Sequence, residues 1–149
     1  MFDSADKILD FAIQNEQLAA DFYTRLADKM NAQSMKDVFL QFAEEEKGHK
    51  AKLERVRTGK LLLGAEKKIL DLKIGDNLVE IDLSGDLSYQ EALIVAMKAE
   101  KAAFKLYTNL AAATDDDGLK QIFLDLAQEE AKHKLRFEIE YDDNILTEN

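Results

Sequence analysis

Cysteine and proline are absent from the sequence, and glycine is rare, with six among 149 residues. Without cysteine, the chain can form no disulfide, no thiolate zinc site and no cysteine-ligated iron–sulfur centre. Any bound metal must therefore be held by oxygen and nitrogen ligands. Because proline and glycine interrupt helices, their scarcity beside abundant Ala, Leu, Glu and Lys favours long helices.

A basic surface and long apolar runs are also missing. No stretch approaches the roughly 20 apolar residues that a membrane span requires, and the beginning, MFDSADKILDF, lacks the pattern of a signal peptide. We therefore expect a cytoplasmic protein that binds no membrane. The formal net charge of −10 argues against nucleic acid as a partner, because nucleic-acid binding requires a basic surface. The length suits one folded domain over residues 1–149.

Four long segments of the sequence are predicted to form helices. They comprise, approximately, residues 3–28, 34–57, 88–113 and 118–141. Capping-box patterns mark two of the starts, at Ser34 with Asp37 and at Ser88 with Glu91. Short polar linkers join the first helix to the second and the third to the fourth, so each pair should form an antiparallel hairpin. Residues 58–87 are long enough to run the length of the helices, which predicts an all-α four-helix bundle of two hairpins joined by a long crossover.

The two halves of the chain form an internal repeat without gaps. A shift of 84 positions (100 − 16) superposes Glu16 on Glu100, and the same shift pairs many apolar residues of the predicted helices. The other shared polar residues are Glu45 with Glu129, Glu46 with Glu130, His49 with His133, and Tyr23 with Tyr107. Core packing accounts for the shared apolar positions, but it gives no reason for the shared glutamates and histidines.

Ionisable residues interrupt the apolar stripe of each predicted helix. The stripes, with steps of three and four, pass through Glu16 in the first helix, Glu46 and His49 in the second, Glu100 in the third, and Glu130 and His133 in the fourth. Glu45 and Glu129 fall beside the stripes, so we expect them to face solvent or to surround the ligands. Buried carboxylates without a basic partner cost several kcal/mol each and repel one another. Two divalent cations, with neutral imidazoles completing their coordination, would balance four carboxylates, so the sequence predicts a di-metal site.

One Glu from each of two helices and Glu-x-x-His from each of the other two is the di-metal carboxylate pattern of ferritin-like bundles. Here it consists of Glu16, Glu46-Lys-Gly-His49, Glu100 and Glu130-Ala-Lys-His133. The chain resembles the rubrerythrin branch of the ferritin-like superfamily over nearly its full length. The stretches that carry this resemblance are AIQNEQLAADFY, FAEEEKGHKAKL, SYQEALIVAMKAEKAAFKLY and FLDLAQEEAKHKLRFE. The resemblance implies a ferritin-like fold and makes these six residues the candidate metal ligands and catalytic residues.

The chain departs from the rubrerythrin pattern in two ways. Rubrerythrins usually end in a small cysteine-bearing iron domain that supplies electrons to the bundle, and these 149 residues contain no cysteine. We therefore expect an external redox protein as the electron donor. Rubrerythrins also carry an extra glutamate on the third helix, one turn from the main ligand and implicated in ligand exchange with peroxide. The candidate positions here are Met97 and Ala103.

The ligand types narrow the choice of metal. Carboxylate-rich sites with a few imidazoles suit iron and manganese, so we expect two Fe ions, with Mn as the alternative. We expect Glu46 and Glu130 to bridge the ions. The terminal ligands are then Glu16 with His49 and Glu100 with His133, with the assignment of each His to an ion left open. Tyr23 and Tyr107 are either core tyrosines or groups whose hydroxyls bond a ligating carboxylate.

The function expected from this site is a rubrerythrin-like di-iron oxidoreductase. It would reduce hydrogen peroxide or dioxygen in oxidative-stress defence, as a peroxidase or oxidase, and we expect it to be a homodimer. Three alternatives remain: a ferritin-like protein that binds or stores iron, a dimanganese catalase-type enzyme, and a metal-free helical interaction module.

Overall fold

The computed structural model describes residues 5–59, 83 and 85–148, with side chains for residues 6–58, 83 and 85–144. These residues form four α-helices, which are α1 (Ala5–Lys29), α2 (Gln33–Gly59), α3 (Tyr89–Ala113) and α4 (Asp117–Glu148). The predicted all-α four-helix bundle is confirmed. Helix α1 packs chiefly against α2, and α3 packs chiefly against α4. No helix within the described residues has an apolar stretch of the length that a membrane span requires.

Local side-chain chemistry fixes the start of α3 as predicted. The Ser88 hydroxyl accepts a hydrogen bond from the Glu91 backbone N–H at 3.1 Å, and the Glu91 carboxylate accepts one from the Ser88 backbone N–H at 3.0 Å. This reciprocal capping box satisfies two N–H groups that have no partner inside the helix. The Ser88 backbone N–H, followed by the Ser88 hydroxyl, holds the pKa of Glu91 below its usual value, because both favour the charged carboxylate.

The predicted cap at Ser34 and the predicted end of the fourth helix are wrong in position. Helix α2 begins one residue earlier, at Gln33, so Ser34 lies inside the first turn and the Asp37 carboxylate instead accepts a hydrogen bond from Gln33 Nε2 at 2.8 Å. Helix α4 continues to Glu148 instead of ending near Tyr141. The segment after Tyr141 contains neither proline nor glycine, so nothing in it interrupts the helix.

The buried apolar residues form two separate clusters, each named here after one phenylalanine. The Phe123 cluster comprises Ile8, Leu9, Ala12, Leu53, Val56, Leu106, Tyr107, Leu110, Ala111, Leu119, Phe123, Leu126 and Ala127. The Phe137 cluster comprises Phe22, Tyr23, Leu26, Ala27, Met30, Phe39, Phe42, Ala43, Leu83, Tyr89, Ala92, Leu93, Ala96 and Phe137. Every helix contributes residues from one of its halves to one cluster and from its other half to the other cluster. The clusters therefore occupy opposite ends of the bundle.

The order in which each helix meets the clusters gives its direction. Helices α1 and α4 run from the Phe123 cluster to the Phe137 cluster, whereas α2 and α3 run the opposite way. Helices α2 and α3 are therefore parallel, as a ferritin-like connection between two hairpins requires. Leu83 is packed in the Phe137 cluster, and Lys29 Nζ donates a hydrogen bond to the Gly85 carbonyl at 3.0 Å, so Leu83 and Gly85 lie at the end of the bundle where α3 begins. Within the predicted crossover of residues 58–87, residues 60–82 and 84 lie outside the described residues.

Candidate metal centre

A layer of ionisable side chains separates the two apolar clusters. Glu16 and Glu46 are completely buried, and Glu100, Glu130 and His133 are at most 2% exposed. The His49 side chain is 13% exposed. Each helix places its members of this layer between its residues of the Phe123 cluster and those of the Phe137 cluster. The structure thus brings together all six residues predicted as ligands.

The Nδ1 atoms of the two histidines point into the layer, and each has three carboxylates around it. His49 Nδ1 lies 3.3 Å from Glu16 Oε2, 3.5 Å from Glu46 Oε1 and 3.2 Å from Glu130 Oε1. His133 Nδ1 lies 3.1 Å from Glu46 Oε1, 3.3 Å from Glu100 Oε1 and 3.6 Å from Glu130 Oε1. Glu46 and Glu130 are therefore shared by both histidines. Glu16 lies beside His49 only, and Glu100 lies beside His133 only.

Many of these buried polar atoms have no hydrogen-bond partner. Within the described residues they include Glu16 Oε2, both oxygens of Glu46, His49 Nδ1, Glu100 Oε2 and Glu130 Oε1. Buried carboxylate oxygens are normally hydrogen-bonded, and leaving one unsatisfied costs about 1–3 kcal/mol or more. Three of these oxygens, one each from Glu16, Glu46 and Glu130, lie 3.2–3.5 Å from His49 Nδ1. Their lone pairs converge as ligand atoms do around a cation.

Burial and mutual repulsion favour protonated carboxyl groups in the layer. Burial, followed by the charge of Glu46, raises the pKa of Glu16 to about 7. Burial also raises the pKa of Glu100, and burial together with the charges of Glu100, Glu46 and Glu16 raises that of Glu130 well above its usual value. The layer therefore holds protons when it holds no cation. A metal ion that binds there must displace them.

The carboxylates have the opposite effect on the histidines. Burial lowers the pKa of His133, but its contacts with Glu100 and Glu46 outweigh burial and raise this pKa to about 10. For His49, too, burial lowers the pKa, and Glu16 and Glu46 outweigh it and raise the pKa. Both imidazoles thus experience the strongly negative potential that attracts a cation to this layer.

Two buried tyrosines connect α1 and α3 across the layer. The Tyr107 hydroxyl donates a hydrogen bond to Glu16 Oε1 at 2.5 Å, and the Tyr23 hydroxyl donates one to Glu100 Oε1. Burial, followed by the charges of neighbouring glutamates, raises the pKa of both tyrosines well above the usual value, so both hydroxyls stay protonated as donors. Each tyrosine bonds the glutamate of the other half of the repeat. Sequence spacing gave the face of each tyrosine but not the helix of its partner.

Glu45 and Arg136 are a further part of the site. The sequence left Glu45 either in solvent or around the ligands, and the structure places its Oε1 atom 3.2 Å from His133 Nε2. Arg136 Nη1 donates to both oxygens of the same carboxylate, at 2.9 Å each. Arg136 was not singled out in the sequence, although its position three residues after His133 places it on the same face of α4. The repeat-equivalent Glu129 lies 3.6 Å from Lys132 and is 46% exposed, which agrees with the expected solvent-facing position.

The residues at the centre fit two metal ions. Four carboxylates and two imidazole nitrogens are the donor set of ferritin-like di-iron and di-manganese proteins. Glu46, His49, Glu130 and His133 offer ligand atoms that all lie within 4.8 Å of one another. Ala12 and Ala96, each one turn before a glutamate of the layer, are completely buried, and their small side chains leave room beside it. The positions of the missing third-helix glutamate, Met97 and Ala103, are half-buried and carry no carboxylate.

Comparisons with known proteins place the chain in a family. The rubrerythrin family model matches residues 7–68 and 91–149. Among solved structures, a hypothetical protein from Pyrococcus furiosus is 26% identical, with a TM-score of 0.66 over 92% of this chain and 87% of that chain. An uncharacterized conserved protein from Magnetospirillum magnetotacticum is 24% identical and has the same fold, with a TM-score of 0.71 over 91% of each chain. No curated protein sequence matches significantly. The family model covers all six residues of the buried layer, and the chain belongs to the rubrerythrin family.

Proposed function

We propose that this protein is a di-iron carboxylate oxidoreductase that reduces hydrogen peroxide or dioxygen in oxidative-stress defence. The observation that carries the proposal is the convergence of four buried glutamates and two histidine Nδ1 atoms, many of them without hydrogen-bond partners. Membership of the rubrerythrin family supports the same proposal. The electrons would come from an external redox protein, because these 149 residues contain no cysteine that could ligate an iron centre.

The choice of iron rests on the ligand set and on the electron count. Oxygen-rich sites with a few imidazoles suit Fe and Mn better than Zn, which prefers fewer ligands in a tetrahedral arrangement. When bound, two iron ions would supply the two electrons that reduction of one peroxide requires. With two protons, this reduction breaks the O–O bond and yields two water molecules. The donor protein would have to supply two electrons for each further molecule of peroxide.

The chain's own residues would hold the metal pair and keep the site dry. Because Glu46 and Glu130 lie beside both histidines, they would be the ligands shared by the two ions, and Glu16 and Glu100 would each bind one ion. The hydroxyl of Tyr107 holds Glu16 in place, and that of Tyr23 does the same for Glu100. The apolar clusters above and below exclude water, and a low dielectric strengthens every charge interaction inside the layer.

The proposal is tested by loading the metal-free protein anaerobically with Fe²⁺ and mixing it with peroxide or with dioxygen. We expect two Fe²⁺ ions per chain and oxidation of two Fe²⁺ ions per peroxide, faster than for free Fe²⁺ at the same concentration. Glu130→Gln keeps the shape of the side chain but removes a buried ligand charge, and it should lose iron and reactivity. Glu129→Gln, the adjacent exposed position, is the matched control and should behave as the wild type. A reaction no faster than that of free Fe²⁺, with both oxidants, contradicts the proposal.

Measurements on the same protein also separate the proposed function from the three alternatives. An iron-storage protein would take up many more than two ions per chain and form a large hollow assembly, which light scattering separates from the homodimer that we propose. A dimanganese catalase would contain Mn after purification from its native host and release dioxygen from peroxide. A metal-free interaction module would show no change of melting temperature when a chelator is added.

A further inference from the structure

The two halves of the site have the same residue types in the buried layer, but they differ in the residues around the outer ring nitrogen of each histidine. The outer ring nitrogen of His133, Nε2, lies 3.2 Å from Glu45 Oε1. By the repeat, the residue equivalent to Glu45 on the His49 side is Glu129 (45 + 84). Glu129 is 46% exposed and lies beside Lys132 instead. Within the described residues, the ion-pair contacts of His49 all run from Nδ1.

Arg136 and Phe42 immobilise Glu45 and the ring of His133. Arg136 Nη1 donates to both oxygens of Glu45 at 2.9 Å, and the centre of its guanidinium group lies 4.3 Å above the centroid of the Phe42 ring. Phe42 also meets the His133 ring edge-on, with 4.9 Å between the ring centroids and 90° between the planes. Helices α2 and α4 thus contribute two residues each to an interlocked group of four, in which every member contacts at least one member from the other helix.

The His49 side lacks the residues that would build the same group. The position equivalent to Arg136 is Lys52 (136 − 84), and the position equivalent to Phe42 is Leu126 (42 + 84). A lysine carries a compact ammonium group on a flexible stem instead of the planar guanidinium that lies over the Phe42 ring. A leucine offers no aromatic face to a cation. Lysine in place of arginine and leucine in place of phenylalanine both remove contacts that would hold a carboxylate in a fixed position beside His49.

We propose that Glu45, held by Arg136, is a positioning residue for His133 and makes the ion bound by His133 the more tightly held of the two. The inference rests on the proposed metal function. A carboxylate that accepts the Nε2–H of a histidine fixes the ring and its tautomer, with Nδ1 directed at the metal. Loss of such a partner weakens metal binding by about 10–100-fold. Among the described residues, His133 has such a partner and His49 has none, which makes the two sites unequal.

The test is a Co²⁺ titration of the metal-free protein, followed by the visible absorption of the bound ion. Wild type should bind two Co²⁺ ions in two steps of different affinity. Glu45→Gln should weaken the tighter step by about 10–100-fold and change its absorption bands, while the weaker step stays within a few-fold of wild type. Glu129→Gln, the matched control from the other half of the repeat, should leave both steps unchanged.

A second variant separates positioning from folding. Arg136→Lys keeps the positive charge and leaves Glu45 in place, so it should weaken the same step in the same direction but by a smaller factor. Far-UV circular dichroism of each metal-free variant reports whether the helices are intact. Equal Co²⁺ binding by Glu45→Gln and Glu129→Gln, or an equal loss at both steps, overturns the inference and leaves the proposed function standing. A wild-type protein that binds no Co²⁺ overturns the proposed function, and the inference with it.

Discussion

The metal-free protein should lose stability as the pH rises from about 5 to about 8, because its buried layer holds protons that the unfolded chain does not. Burial, followed by the charge of Glu46, raises the pKa of Glu16 from 4.5 to about 7. Between these two values the folded protein binds one more proton at this group than the unfolded chain does. The free energy of unfolding therefore falls as the pH rises through this window.

The size of the effect follows from the difference between the two pKa values. For Glu16 alone it corresponds to about 3 kcal/mol, since each pH unit is worth about 1.4 kcal/mol. In a domain of this size, this lowers the melting temperature by roughly 6–12 °C. The loss continues above neutral pH, because contacts with Glu100 and Glu46 outweigh burial and raise the pKa of His133 from 6.5 to about 10. That group contributes stability below pH 6.5 that disappears as the pH approaches 10.

Thermal unfolding of the metal-free protein, followed by circular dichroism at a series of pH values, measures this loss. About 0.5 M NaCl screens the exposed acids but not the buried ones. Glu16→Gln imitates the protonated acid at every pH, so it should match wild type near pH 5, exceed it near pH 8 and show a shallower slope. Glu129→Gln, which removes an exposed acid, should keep the wild-type slope. Parallel curves for wild type and Glu16→Gln would refute the reasoning.

Bound metal should reverse the slope, because the ions replace the protons and bind more tightly as the pH rises.

Three further perturbations test the packing and local interactions. Phe137→Ala removes a completely buried ring that stacks on Phe42 at 4.0 Å, so chemical denaturation should show a loss of about 3–5 kcal/mol, whereas Leu124→Ala, at a position 40% exposed, should cost much less. Ser88→Ala removes the cap of α3 and should cost about 1 kcal/mol by the same measurement, and no loss would contradict the capping box. Tyr107→Phe leaves Glu16 Oε1 without its donor and should destabilise the metal-free protein by about 1–3 kcal/mol in urea, a result that an unchanged midpoint would exclude.

The sequence alone was sufficient to predict the layer because helical periodicity and burial cost act together. A helix whose apolar residues recur every three or four positions has one buried face. A carboxylate on that face is tolerable only with a compensating charge. This reasoning chose Glu46 over Glu45 and Glu130 over Glu129, and the burial of these residues agrees. Their role as metal ligands stays a prediction.

Periodicity within one helix carries no information about which neighbouring helix a side chain meets. For this reason the sequence left open that Tyr23 bonds Glu100 instead of Glu16, and that Glu45 reaches His133 on α4. The predicted start of α2 was one residue too late. Ser34 and the residue before it are both compatible with a first turn, and only the backbone geometry distinguishes them.

Burial constrains the residues of the buried layer more strongly than the residues around them. This difference would allow a duplicated bundle to hold two ions with the unequal affinities that we propose. Replacing a glutamate of the buried layer removes a charge that would offset the bound cations, so both halves need the same residues there for metal binding. Arg136 is 40% exposed, and ion pairs at such positions contribute about 0–1 kcal/mol to folding. The exchange of arginine for lysine between positions 136 and 52 therefore has little effect on stability. The effect that we propose on His133 is larger, because loss of the carboxylate partner of a ligating histidine weakens metal binding by about 10–100-fold.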